Sequence, residues 1–311
     1  MRYQQKLACG PRFPGWHVLA NIFPLRYLVQ IPKPDPRLNY MATSTAENSP
    51  LLIEDTVNQV RWITLNRAKQ RNPLSSLMLE ELNRALTEAG NDPQVRAIVI
   101  TAEGPVFSAG HDLREMSRQE GEDIETQQAR MSGILELCAT MMLGIIHSPK
   151  AVIACVQAPA TAAGCQLVSA CDLAIASDEA TFCTPGVNIG AFCTTPLVGI
   201  GRNINRKHAM AMALTGDAIS AEDAVRIGLI NEAVPSEQLL ERTRELAERI
   251  ASKSAQGIRL GKADFYRQVE MPIEDAFAHA NEAMVRAMTS PDAQEGKMAF
   301  FEKRKPQWGE A

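Results

Sequence analysis

At 311 residues, with 45% apolar and 22% charged residues, the chain has the make-up of an ordinary globular protein of one large domain or two small ones. A formal net charge of −4 argues against nucleic acid as the main partner, and the absence of any run of eighteen apolar residues argues against a membrane span. The seven cysteines are scattered without a C-x-x-C pair, which suits buried free thiols in a reducing compartment, and the five histidines are isolated, so no metal site is assigned.

Residues 1–40 hold six Lys/Arg, one acidic residue (Asp35) and six of the eighteen prolines, leaving 26 basic and 35 acidic residues in the body. Such a basic, acid-poor stretch fits a mitochondrial transit peptide, yet it has no Ser and its prolines break any helix. The other reading makes Met41 the true start. Both predict disorder to about residue 50, ahead of a core at 51–235 and a helical region at 236–311.

Residues 51–54 and 60–65 alternate like a hairpin. A polar loop, Asn66–Asn72, follows with Arg67, Lys69 and Arg71. Leu79, Leu82 and Leu86 predict a helix over 75–89 with Ser75 as its cap. That helix sets one Arg84 against Glu80, Glu81 and Glu88, which excludes an RNA-binding face. A β-branched run at 97–101 leads into Val106–Leu113. Residues 115–123 are charged and predicted to form a mobile cover over a binding pocket, and 124–146 form a Met-rich helix. A second β-branched run at 151–156 leads into Ala160–Leu167. Short strands are predicted at 172–176 and 181–183, a loop at 185–190, and a helix opening at Thr194-Thr195-Pro196. Beyond Gly201 the pattern is helical: 206–214, 221–227, 236–252, 256–269, 273–288 and 291–303.

The two segments after the β-branched runs carry the chemistry. Phe107-Ser108-Ala109-Gly110-His111-Asp112-Leu113 and Ala160-Thr161-Ala162-Ala163-Gly164-Cys165-Gln166 are rich in small residues, so their backbones can approach a ligand closely. Each turns toward a helix whose first N–H groups lack internal partners. Two such turns side by side offer two donors to one developing negative charge, an oxyanion hole.

The pair resembles the enoyl-CoA hydratase/isomerase (crotonase) superfamily, with its F-(S/A)-A-G-x-D-(L/I) strand–loop and a later G-G-(G/A)-x-E turn. Further matches, in order, are Thr64–Leu74, Cys171–Ala174, Leu214–Asp217, Gly228–Ile230 and Phe301–Pro306. The resemblance implies an α/β fold, the ClpP/crotonase-like spiral of ββα units with a C-terminal helical trimerisation region. It implies an acyl-CoA thioester as substrate, with coenzyme A as part of the substrate rather than a separate cofactor. It further implies a homotrimer or dimer of trimers, in the cytoplasm of a bacterium or the mitochondrial matrix of a eukaryote, and not secreted. By the same resemblance the N–H groups of His111 and Ala163 are the oxyanion donors, and the His111 imidazole is a bystander. Ala109, Asp112, Leu113, Gly164 and Pro185 face the substrate. Lys69 and Arg71 meet the phosphates of coenzyme A, and Lys303, Arg304 and Lys305 reach its nucleotide end.

The sequence departs from the family at the two hydratase glutamates, whose positions are taken by Gln166 and Gly186. A carboxamide cannot take or give a proton near neutral pH, and glycine has no side chain. Polarisation of the thioester should survive these changes, while efficient hydration should not. Cys165 as a nucleophile is disfavoured because its neighbours read as helix core. The expected function is an acyl-CoA enzyme of this family acting through a thioester enolate in fatty-acid and acyl-CoA metabolism. Decarboxylation of a methylmalonyl-type thioester and a non-catalytic acyl-CoA binder are the alternatives.

Overall fold

The computed structural model describes residues 49–309, so the expectations for residues 1–40 lie outside the described residues. The chain opens with β1 (Leu52–Val57), β2 (Val60–Leu65), a 3₁₀ turn (Ala68–Gln70), α1 (Ser76–Asn91), β3 (Ala97–Ala102), α2 (Leu113–Met116) and α3 (Ile124–Ile146). Next come β4 (Ala151–Val156), β5 (Ala160–Thr161), α4 (Ala163–Ala170), β6 (Leu173–Ser177), β7 (Thr181–Cys183), a 3₁₀ turn (Pro185–Ile189), α5 (Pro196–Asn203) and α6 (Arg206–Thr215). The remainder is β8 (Ile219–Ser220), α7 (Ala221–Ile227), β9 (Glu232–Val234), a 3₁₀ turn (Ser236–Gln238), α8 (Leu239–Ala251), α9 (Ala255–Gln268), α10 (Ile273–Met288) and α11 (Pro291–Glu302).

A six-stranded sheet runs β1-β2-β3-β4-β6-β9, antiparallel at the β1–β2 hairpin and parallel beyond it. A smaller sheet, β5-β7-β8, stands beside it. The apolar runs of β3 and β4 have no polar face because both faces are covered. Ile98, Ile100, Val152, Ala154 and Val156 face a core shared with α1, α3 and α4. Ala97, Val99, Ile153 and Cys155 face a second layer with Leu239, Ala247 and Ala251 of α8. Each fully buried Leu, Ile or Val side chain contributes about 1.5–3 kcal/mol.

The helix starts follow capping chemistry. Ser75 Oγ accepts from the Met78 amide (3.3 Å) and Asp123 Oδ1 from the Thr126 amide (2.7 Å). The α9 helix is pinned to the sheet by a buried cluster. Lys262 Nζ donates to Asp172 Oδ2 (2.7 Å) and to the carbonyls of Ile145 and Lys150, while Tyr266 OH donates to Asp172 Oδ1 (3.0 Å).

Three expectations need correction. Residues 185–189 are a 3₁₀ turn rather than a plain loop, begun by Pro185 and closed by Gly190 at φ +76°. The region beyond Gly201 is not wholly helical: β9 adds the last strand to the main sheet and β8 pairs with β7. Residues 236–252 are a 3₁₀ turn leading into α8 rather than one helix. Although no continuous apolar run exists, α3 is long and apolar enough to cross a membrane by length and composition, with a mean hydropathy of 1.5. Here Ile134, Cys138, Met141, Met142 and Ile145 turn one face of α3 into the core instead.

Candidate active site

The turn after β3 is held from one side by the loop before α1. Asn72 is fully buried, and its Nδ2 donates to the carbonyls of Glu103 and Val106, both at 2.8 Å. Its Oδ1 accepts from the Arg67 amide (2.8 Å), and its carbonyl accepts from Ser108 Oγ (2.8 Å). The Ala109 amide donates to the Arg71 carbonyl (3.0 Å) and the Leu74 amide to the Gly110 carbonyl (2.8 Å). Leu74 pairs with His111 in an isolated parallel bridge.

The second turn is stitched to the first. The Phe107 amide donates to the Pro159 carbonyl (3.0 Å) and the Thr161 amide to the Ser108 carbonyl (2.9 Å). Ala162 is the hub: its amide donates to the Cys183 carbonyl (2.9 Å) and its carbonyl accepts from the Gln166 amide (3.0 Å). It holds φ +51° and ψ −115° just ahead of α4, a conformation that suits glycine far better than alanine.

The glycines show how closely the turns meet. A Cβ on Gly110, whose φ is +88°, would lie 3.0 Å from Ala162 Cβ and 3.1 Å from the Ala163 amide nitrogen. A Cβ on Gly164 would lie 2.4 Å from the Ser108 carbonyl oxygen. The residue before His111 therefore abuts the amide of Ala163. Neither the His111 amide nor the Ala163 amide donates to an acceptor among the described residues. Ala163 opens α4, so the positive end of that helix lies at the same place.

Polar atoms on and next to these turns are unpaired. His111 Nε2, Gln166 Oε1 and Thr184 Oγ1 are buried without a partner among the described residues. Burial pushes the His111 imidazole below its ordinary value, so the ring is neutral near pH 7. Gln166 is 8% exposed on the first turns of α4. Gly186, in the 3₁₀ turn after Pro185, donates its N–H to Cys193 Sγ (3.2 Å). Among the described residues no carboxylate is hydrogen-bonded to Gln166 or Gly186.

The other expected residues are placed as follows. Ala109 and Asp112 are half-buried, and Asp112 Oδ1 caps α2 through the Arg114 amide (3.0 Å). Leu113 is 60% exposed. Lys69 and Arg71 are exposed, and Arg71 lies against the first turn through its carbonyl alone. Arg304 is already committed within the chain, to Glu295 and Glu302, which counts against the expected reach to a nucleotide. The cover at 115–123 is tied down: Glu115 Oε2 accepts from the Ser76 amide and hydroxyl (2.8 and 2.9 Å), and Arg130 pairs with Glu122 (2.8 Å). Arg130 and the amide of Gln119 hold the Glu122 carboxyl at about 2. Sequence reasoning missed Asn72 and Cys193; the Asn-Pro step after three alternating cations was the available signal for the first.

The family model for enoyl-CoA hydratase/isomerase matches residues 55–311. Rat enoyl-CoA hydratase domain-containing protein 3, mitochondrial, is 42% identical over 277 residues, 89% of this chain and 86% of that protein. The crystal structure of the human protein of that name superposes with a TM-score of 0.79 at 41% identity, covering 83% of this chain and 100% of the other. An enoyl-CoA hydratase from Mycobacterium smegmatis gives a TM-score of 0.79 at 42% identity, over 84% of this chain and 99% of that one. The described residues have the crotonase fold, and the chain belongs to the enoyl-CoA hydratase/isomerase family.

Proposed function

We propose that this protein is an acyl-CoA enzyme that binds the thioester carbonyl with the backbone amides of His111 and Ala163 and stabilises the enolate or oxyanion formed there. The observation that carries this reading is the seam between the two turns, where position 110 abuts an Ala163 amide that has no acceptor among the described residues. Each donor of this kind is worth about 10²–10³ in rate. The side chain of Leu113, the backbone at Ala109 and Gly164, and Pro185 bound the acyl group, while Lys69 and Arg71 serve the phosphates of coenzyme A. Gln166 and Gly186 supply neither acid nor base, so hydration of an enoyl thioester loses about 10²–10⁴ for each missing group.

A second reading within the same site is decarboxylation of a carboxylated acyl thioester. The missing carboxylates at positions 166 and 186, which hydration needs and decarboxylation does not, favour it. The substrate then expels its own carboxylate, and the enzyme need only hold the enolate.

The apolar groove between α9 and α10, about 390 Å³ and lined by Leu260, Phe265, Phe277 and Met284, favours self-association, with the homotrimer or dimer of trimers taken from the family resemblance. The compartment follows the host: the mitochondrial matrix of a eukaryote, in keeping with the word mitochondrial in the rat protein's name, or the bacterial cytoplasm.

The test is a screen of crotonyl-, malonyl- and methylmalonyl-CoA with calorimetric binding measured alongside turnover. Binding with slow or no hydration is expected. Hydration at the rate of a two-glutamate hydratase would refute the reading of Gln166 and Gly186. Tight binding with no turnover of any thioester would favour a non-catalytic binder.

A further inference from the structure

We propose that Cys193 sets the chemistry open to this site by filling the space that any side chain at position 186 would need. The inference rests on the reading above that position 186 is where the family carries its second glutamate. Gly186 is not a glycine for conformational reasons, since its φ lies outside the left-handed region that glycine relieves. It is a glycine for space. A Cβ there would lie 2.9 Å from Cys193 Sγ, 3.1 Å from the Cys193 nitrogen and 3.3 Å from the Phe192 carbonyl carbon.

The contact is closed by hydrogen bonds. Gly186 donates its N–H to Cys193 Sγ (3.2 Å), and its carbonyl accepts from the Ala191 amide (2.9 Å). The same turn also packs closely against Gly216, where a Cβ, at φ +71°, would lie 3.2 Å from Pro185 Cα and 3.1 Å from Asn188 Nδ2. The turn that carries position 186 therefore has close neighbours at both Cys193 and Gly216. The group that takes the place of a carboxylate is a thiol, and burial pushes that thiol's pKa up, so it stays protonated and activates no water. The loss of the second acid–base group is therefore built into two positions rather than one. Restoring both glutamates alone should not restore hydration, in which water gives its hydroxyl to the β-carbon and a proton to the α-carbon of the enoyl thioester.

The experiment uses the full chain. Gln166→Glu/Gly186→Glu and Gln166→Glu/Gly186→Glu/Cys193→Gly are compared on crotonyl-CoA. The double variant should gain no more than Gln166→Glu does alone, and the triple should exceed the double by about 10²-fold. Equal gains in both, or no gain in a triple variant that still binds crotonyl-CoA, would overturn the proposal. A second measurement needs no catalysis. In Gly186→Ala the new Cβ should displace the sulfur, so maleimide labelling of Cys193, located by peptide mass spectrometry, should speed up several-fold. An unchanged labelling rate would equally overturn it. Failure of the parent to bind any acyl-CoA would sink the functional reading while leaving the labelling result to judge the Gly186–Cys193 contact.

Discussion

Gly164→Ala adds one methyl group at the place where the two turns touch. The new Cβ would sit 2.4 Å from the Ser108 carbonyl oxygen and 2.8 Å from Ser108 Cβ. An ordinary carbon–oxygen contact is about 3.3 Å, so the turns must part by roughly 0.9 Å. Neither side can yield easily. Gly164 lies in the first turn of α4, and Ser108 is fully buried with its carbonyl bonded to the Thr161 amide. Overpacking of this kind costs about 1–3 kcal/mol. At about 2–3 °C per kcal/mol for a chain of this size, the melting temperature should fall by roughly 2–9 °C. The functional loss should be larger than the loss of stability suggests. A displacement near 1 Å at a catalytic constellation costs about 10²-fold in rate, because the amides of His111 and Ala163 would no longer meet on one oxygen. Thermal unfolding and turnover of the best acyl-CoA from the screen are the assays. Gly133→Ala is the control: no atom lies within 4 Å of its Cβ position in the middle of α3, so it should gain up to about 1 kcal/mol and keep full activity. If Gly164→Ala melts and turns over like the parent, the two turns do not meet as described.

Other changes test the surrounding scaffold. Ala162→Gly should raise stability by about 1 kcal/mol in chemical denaturation, because glycine relieves the φ of +51°. Asn72→Ala should lower it by about 3 kcal/mol, since it removes three side-chain hydrogen bonds and leaves the buried carbonyls of Glu103 and Val106 unpaired. Asp172→Ala strands the buried Lys262 ammonium and should cost about 3–5 kcal/mol, read as a lower melting temperature. His111 gives a pH signature. Burial depresses its folded pKa below 6.5, so the unfolded chain takes up the proton first as pH falls. Its share of stability is full above about pH 6.5 and is lost as pH drops through the folded pKa. His111→Asn should therefore lose less stability than the parent between about pH 7.5 and pH 5.5, and an equal loss would contradict the buried, neutral ring.

The parts of the fold legible in the sequence are those written in local chemistry. The runs at 97–101 and 151–156 are mostly apolar and rich in Val and Ile, and they became the two central strands because both of their faces are covered. Ser75 marked a helix start through a side chain that reaches the amide three residues on, and Asp123 does the same for α3 in the structure. The strand β9 was hidden because Glu232–Val234 is too short to display alternation, and only its pairing with β6 makes it a strand. The 3₁₀ turn at 185–189 looked like a loop because Pro and Gly bracket both.

The site divides in the same way. Gly110 and Gly164 were legible as small residues at a close approach. What fixes the two turns was not legible. Ser108 and Asn72 are joined across 36 residues of sequence, and nothing local to either announces the other. Ala162 holds a glycine-like conformation without being glycine, so its strain appears only in the dihedral angles. Cys193 seemed one more buried thiol until Gly186 was found against it.

Isotope-edited infrared spectroscopy of a bound acyl-CoA, labelled with ¹³C at the thioester carbonyl, reads the central claim most directly. Two amides converging on that oxygen should lower the carbonyl stretching frequency in the parent complex, and the shift should shrink in Gly164→Ala. A carbonyl band that keeps its free-solution frequency in a saturated parent complex would contradict the account.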